Sequence, residues 1–309
     1  MKLFINRVFK FLILLVLVIA ATFFLNKRIV DSLLEMESVL PNNTKWLAIG
    51  DSHITNSINP NDYPWIQNRA HSGERLYYNY EKLKFYINKN PQIDLVIIGY
   101  WFGSLSYDMD WLLYGKDSKY RYESYLPIMI INNTDINFLN VPKNRKLFYE
   151  NYFGYKYGYP SPSVRLMVKN YFTFNKNLEM RGGFLYRNNI YKPNLNKRLP
   201  EKIPSQFSID SLPLKNLRDI VSFLKEKGVK IIFYNTPVTN DFFTPKNHYA
   251  AMQADSLIST FVDEKSVWYI NHSRLSLPNR FFNDKHHLNT NGANYITPIL
   301  VDSITKLIN

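Results

Sequence analysis

The chain has 309 residues, no cysteine and a formal net charge of +13, with 38 Lys and Arg against 25 Asp and Glu. At 46 % hydrophobic and 20 % charged residues it can bury one sizeable core, or one core plus a long insertion, which excludes a disordered chain and one that crosses a membrane along most of its length. Without cysteine there is no disulfide, thiolate metal site, cysteine nucleophile or lipid-modified N-terminal cysteine, although an oxidising compartment stays open. The basic residues are scattered among Asn, Tyr and Phe and form no zinc-finger or RNA-binding signature, so they read as a solvated surface and nucleic acid is not an expected partner.

Phe11 to Leu25 carries no charge, and Lys2, Arg7 and Lys10 precede it while Lys27 and Arg28 follow. With Lys10 snorkelling, the apolar segment runs from Val8 to Leu25, the lower limit for a spanning helix. A cleaved signal peptide has an apolar stretch of similar size. Thr22-Phe23-Phe24-Leu25 after Ala20-Ala21 is a poor mature start, so residues 1–28 are expected to be an uncleaved signal anchor. The bias in flanking Lys and Arg places the N-terminus inside and the following domain outside, in the periplasm or at the cell surface. Residues 29–43 read as a short helical stalk, with Ile29, Val30, Leu33, Leu34 and Val39 apolar and Pro41-Asn42-Asn43 ending it.

The main domain is expected over 44–309. Lys45 to Ile49 is its first strand, and after Ser52 the chain reads as a loop through Asn59-Pro60 and Tyr63-Pro64. Ile66 to Ala70 precedes Gly73, either an ordinary turn glycine or one whose N–H faces a developing oxyanion. Glu74 to Asn88 has helical spacing, with Glu81 and Lys82 on its polar side, and Ile93 to Tyr100 is a buried strand. From about 105 to 211 the rhythm breaks into a stretch rich in Tyr, Phe and Asn, including Tyr149 to Tyr159, with a turn at Arg181-Gly182-Gly183. Such an insertion suits a lid or a sugar-stacking surface, or its aromatics fill a small core of their own. Further on come a helix from Pro213 to Lys227 capped by Gly228, a strand from Val229 to Tyr234, a helix from Tyr249 to Glu264, a strand from Val267 to Ile270 and a final helix from Asn291 to Ile308. This alternation predicts an α/β fold, a three-layer α/β/α arrangement with a central parallel sheet covered on both faces.

Leu47-Ala48-Ile49-Gly50-Asp51-Ser52-His53 is an apolar run stopped by a glycine, a carboxylate and a serine. A serine at the C-terminal end of a buried strand can be held on a tight turn facing the crevice where open α/β sheets bind ligands. Asp284 and His287 lie three residues apart, so on one turn the carboxylate can hold Nδ1–H while Nε2 points at Ser52. The neighbouring His286 remains an alternative on the residues alone. His53 is expected to point away from the serine, and Asp51 to satisfy N–H groups of its turn. Asp284, His286 and His287 lack a second pair at metal-binding spacing, so neither a metal nor a cofactor is expected.

Gly50-Asp51-Ser52 and Asp284-Lys285-His286-His287, followed by Leu288-Asn289 and Gly292-Ala293, resemble the first and last blocks of the SGNH/GDSL hydrolase superfamily. The resemblance implies a flavodoxin-like α/β/α sheet and a catalytic set of Ser52, Asp284 and His287. It implies that Ser52 and Gly73 serve the oxyanion hole, and the Asp-x-x-His spacing selects His287 over His286. The third block should bring an asparagine after the Ile93 to Tyr100 strand, but the residues are Gly99-Tyr100-Trp101-Phe102-Gly103-Ser104. Gly103 and Ser104 are the candidates to stand in for it; loss of one oxyanion donor costs ~10²–10³ in rate. The likeness is greatest to membrane-anchored members in polysaccharide O-acetylation and teichoic-acid alanylation, which share Gly-Asp-Ser-His, Pro237-Val238 after a strand and the terminal Asp-x-x-His-Leu-Asn. These commonly work beside a multi-spanning membrane-bound O-acyltransferase. The expected function is therefore extracytoplasmic O-acyl transfer or ester hydrolysis on a glycan or acylated small molecule. The alternatives are an inactive glycan-binding scaffold and a lipase-like esterase.

Overall fold

Short runs of branched apolar residues, each bounded by Gly, Asn or Pro, extend into strands, and the amphipathic stretches between them coil into helices. The computed structural model describes residues 1–105, 118–134, 145–172, 182–193 and 211–309. In chain order the elements are α1 (Lys2–Ser38), β1 (Trp46–Ile49), α2 (Ser52–Thr55), β2 (Ile66–Asn68), α3 (Leu76–Ile87), β3 (Leu95–Gly99) and α4 (Ser118–Ile131). They continue with α5 (Arg145–Tyr157), α6 (Pro162–Phe172), α7 (Ser211–Glu226), β4 (Lys230–Asn235), α8 (Pro245–Ser259), β5 (Val267–Asn271) and α9 (Thr290–Ile308). Residues 106–117, 135–144, 173–181 and 194–210 of the expected insertion, with Arg181 of its expected turn, lie outside the described residues.

The chain divides into two units, Met1–Val39 with Ser118–Glu179, and Leu40–Asp117 with Met180–Asn309. In the first, α1 packs on α5 and α6, and α4 packs on α5. The stretch read as anchor and then stalk is one continuous helix of 37 residues, long and apolar enough to cross a membrane. An uncleaved anchor and a signal sequence have this same character. The apolar run of α1 is exposed, and burial begins only near its C-terminal third, at Ile29, Val30 and Leu34.

The second unit carries a five-stranded, wholly parallel sheet in the order β2-β1-β3-β4-β5. Successive side chains alternate between faces, and here both sets are buried. Trp46, Ala48, Leu95, Ile97, Ile232, Tyr234, Trp268 and Ile270 form one core with Leu300 and Ile304 of α9. Leu47, Ile49, Val96, Ile98, Ile231 and Phe233, from the alternate positions, are also fully buried. That double burial explains why the strands read as continuous apolar runs.

Three elements differ from expectation. The loop after Ser52 begins as the helical turn α2, because the Asp51 carboxylate accepts from the His53 N–H at 2.9 Å and caps it. Helix α8 starts four residues early, at Pro245, since the Thr244 hydroxyl caps it by accepting from the Asn247 N–H. The polar side of α3 is not solvated: Glu81 and Lys82 are both buried, Lys82 against Glu74 at 2.5 Å and Glu81 against Lys84 at 2.8 Å. Periodicity counts apolar side chains and is blind to ion pairs that let charged ones go inside.

Asn289 closes the link between the last loop and α9. Its side-chain oxygen accepts from the Gly292 N–H at 3.0 Å, and its amide donates to the carbonyls of Asn189 at 2.9 Å and Arg280 at 2.8 Å. Asn289→Ala removes the cap and leaves those carbonyls unsatisfied, so urea unfolding followed by tryptophan fluorescence is expected to show a loss of about 2–4 kcal/mol. Asn289→Asp, which keeps the cap acceptor, loses less.

Candidate active site

β1 lies inside the sheet, between β2 and β3, and its C-terminal end opens into the loop that carries Ser52. Gly50 makes that turn at φ +153°, where a Cβ would come within 2.7 Å of the Ile54 side chain and 3.0 Å of the Gly99 backbone. Asp51 then ties the turn down, as expected. One carboxylate oxygen accepts from the His53 N–H, and the other accepts from Trp101 Nε1 at 2.7 Å. Ser52 is left as the first residue of α2, and its carbonyl is held by the Asn56 side-chain amide at 2.6 Å.

The partner loop is closed at its base, where the Asn283 N–H donates to the His287 carbonyl at 2.9 Å and Phe282 bridges Leu288. From the loop that follows β4, the Thr239 N–H and hydroxyl both donate to the Lys285 carbonyl, at 2.9 and 2.8 Å. Asp284 accepts from the His286 N–H at 3.1 Å and the His287 N–H at 3.0 Å, so the carboxylate folds its own turn.

Across this framework Ser52 Oγ donates to His287 Nε2 at 2.7 Å, while His287 Nδ1 donates to both Asp284 carboxylate oxygens at 3.0 Å. Ser52, His287 and Asp284 thus form one continuous chain of hydrogen bonds. His286 Nε2 stands 3.9 Å from Asp284, beyond hydrogen-bond distance; of the two adjacent histidines only His287 reaches the serine.

Burial draws the His287 pKa below the usual histidine value, and the Asp284 hydrogen bond only partly offsets this. For Asp284, burial opposes ionisation, but the hydrogen bond and charge of His287 outweigh it, and the carboxyl lies below its usual range. His287 is therefore neutral at pH 7 and able to accept a proton, beside an ionised carboxylate able to stabilise the imidazolium that results.

His53 does not point away. It is buried against the pair, with its ring 5.1 Å from that of His287, 5.5 Å from that of His286 and 4.6 Å from that of Trp101. Its Nδ1 lies 3.2 Å from the Thr236 hydroxyl. Burial, then the charges of His287 and His286, keep its pKa well below 6.5, so it is a neutral wall of the site. On the four-residue α2, residue 53 turns inward, toward the rings of His286, His287 and Trp101.

Gly73, Gly103 and Ser104 lie on the loops after β2 and β3, the strands on either side of β1. Gly73 has φ +69°, which suits glycine. The Ser104 N–H is engaged by the Trp101 carbonyl at 2.9 Å. Arg75, not anticipated from the sequence, joins the two loops by donating to the Gly103 carbonyl at 2.8 Å. Lys82 holds the first of them from inside, bonded to Glu74 and, at 2.6 Å, to the Arg69 carbonyl. The sequence signal for Arg75 is its place two residues after Gly73 at the start of a helix. Nothing in the spacing marks Lys82.

Asp284, His286 and His287 bring donor atoms within 4.8 Å of one another, a set that can hold a cation. Doing so would take Asp284 and His287 away from the bonds they make with each other and with Ser52.

A protein-family model that carries no assigned function matches residues 167–309. No curated protein matches the chain. A solved structure from Streptococcus pneumonia, described provisionally as a platelet activating factor, is similar over 94 % of this chain and 98 % of its own, with 10 % sequence identity and a TM-score of 0.44. A likeness that distant carries no argument about activity.

With its pKa depressed, His287 stays neutral as the pH falls through the free-histidine range near 6.5. The rate of Ser52 phosphonylation is expected to hold its plateau below that pH and to fall only at a lower midpoint. The unfolded chain binds the His287 proton first, so this group's contribution to stability is present above about pH 6.5 and declines as the pH drops below it. A midpoint at or above 6.5 contradicts the burial argument. Asp284→Asn is expected to cut the same rate by about 10³–10⁴ through the wrong imidazole tautomer.

Proposed function

We propose that this chain is a serine ester hydrolase or O-acyltransferase of the SGNH/GDSL type. In this reading the sheet unit is a three-layer α/β/α domain, with α9 over one face and α3 and α7 over the other. α1 anchors it in a membrane and the sheet unit works on the extracytoplasmic side. The observation that carries the reading is the 2.7 Å bond from Ser52 Oγ to His287 Nε2, continued to Asp284.

Ser52 Oγ attacks an ester carbonyl while its proton passes to His287 Nε2, and Asp284 stabilises the imidazolium. The tetrahedral intermediate places its oxyanion against the N–H groups of Ser52 and Gly73, with the Gly103 turn alongside. Collapse expels the alkoxide, which takes the proton back from His287 and leaves an acyl-serine. Water or a sugar hydroxyl, deprotonated by the same imidazole, then attacks that ester and regenerates Ser52. Water makes the protein an esterase and a sugar hydroxyl makes it a transferase. The substrate class is an O-acylated, chiefly O-acetylated, surface or exported glycan, and a multi-spanning membrane-bound O-acyltransferase is the partner that would supply the acyl group.

One observation favours a second reading, an inactive glycan-binding scaffold. Trp101 occupies the region where the superfamily carries its asparagine, and the indole N–H is committed to Asp51, so that donor is not offered to an oxyanion.

Labelling the full-length protein with a fluorophosphonate separates the two. The enzyme reading expects one adduct by intact mass, on Ser52, no adduct on Ser52→Ala, and labelling of His287→Ala slowed by at least about 10³. Folded protein that takes no label supports the scaffold.

A further inference from the structure

The first unit holds a cluster of exposed aromatics. Tyr157 is 52 % exposed, Phe153 47 % and Tyr159 40 %. Their height relative to α1 is fixed. The Asn26 side-chain amide donates to the Gly158 carbonyl at 3.1 Å, and the rings of Phe23 and Tyr159 meet edge to face at 5.9 Å. Gly158, at φ +79°, comes so close to α1 that a Cβ would lie 1.9 Å from the Phe23 carbonyl oxygen. The turn after α5 is therefore seated at residues 23–26, where the bare apolar run of α1 ends and its burial begins.

That level has the composition of a membrane–water boundary. Phe24 is exposed with the Arg28 guanidinium 5.3 Å over its ring. The Lys156 ammonium lies over the rings of Tyr152 and Tyr157 and bonds the Tyr152 hydroxyl at 2.7 Å. Basic groups beside exposed aromatic rings match anionic headgroups above an acyl layer. A sugar-stacking platform needs open ring faces. Here Phe153 and Tyr157 are stacked on each other at 5.9 Å, and Lys156 covers faces of Tyr152 and Tyr157.

We propose that the C-terminal half of α5 and the turn after it form a lipid-binding collar around the exit of α1. In it Phe153, Tyr157 and Tyr159 sit in the headgroup layer, and Lys156 and Arg28 meet anionic lipid. The collar rests on α1 remaining in the bilayer, not on the chemistry at Ser52. It fixes the first unit against the membrane at two points, which a single helix cannot do.

The chain has no cysteine, so single-cysteine nitroxide labels at Phe153→Cys and Tyr157→Cys can be read in the full-length protein without background. Leu25→Cys on α1 serves as the depth marker, and Tyr249→Cys, exposed on α8, as the aqueous reference. In nanodiscs containing anionic lipid, the labels at 153 and 157 are expected to collide with a water-soluble nickel chelate several-fold less often than the label at 249. Their collisions with oxygen are expected to rise toward those at 25. Nickel accessibility at 153 and 157 equal to that at 249 overturns the collar. Protection of 153 and 157 by soluble glycan instead of lipid also overturns it, in favour of a sugar platform. An aqueous label at 25 removes the anchor and the collar together, whereas phosphonylation of Ser52 reports on the catalytic reading independently of all three results.

Discussion

The hydrogen bond between Ser52 Oγ and His287 Nε2 joins side chains 235 positions apart in the chain, and the construction of the sheet unit converges on it. A bond of this kind contributes only about 1 kcal/mol by itself. It cannot organise a fold, so the fold must place both ends within a few tenths of an ångström beforehand. Parallel strands do this by sending every loop that matters to one edge. The loop after β1 brings the serine, the loop after β4 holds Lys285 through Thr239, and the segment leading into α9 brings Asp284 and His287.

Both ends of the bond are fixed by carboxylates, in different ways. Asp51 accepts from a backbone N–H and an indole, so it is structural, and it keeps α2 wound with Ser52 at its first position. Asp284 accepts from two backbone N–H groups and from the imidazole, so the same charge shapes the loop and polarises the His287 ring. Beside them the buried His53 packs its ring on that of Trp101 and adds no charge.

Much of this was legible in the residues, and what was not has identifiable causes. The strands and the helices at Leu76, Ser211 and Thr290 announce themselves because both faces of a parallel sheet and one face of each helix must be apolar. The serine was readable because Gly50-Asp51-Ser52 ends a buried strand, but its pairing with His287 was legible only from the resemblance of the two blocks, since the residues alone left His286 open. The inward turn of His53 was hidden, since a single helical turn capped by a side chain leaves no periodic signal. Lys82 was misplaced for a related reason: its charge argues for solvent, and only the proximity of Glu74 in space permits its burial. The grouping of α1 with α4, α5 and α6 was also beyond the sequence, because aromatics that fill a core and aromatics that face a membrane have the same letters.

If the bond is arranged as described, the His287 ring must carry its proton on Nδ1, toward Asp284, and offer Nε2 to Ser52. Nitrogen-edited proton NMR of the full-length protein with labelled histidine tests this most directly. The account predicts a strongly downfield ring proton on Nδ1 of His287 that disappears in Asp284→Ala. A His287 ring protonated on Nε2, with Nδ1 bare, would mean that the imidazole cannot act as the base of Ser52 and would contradict it.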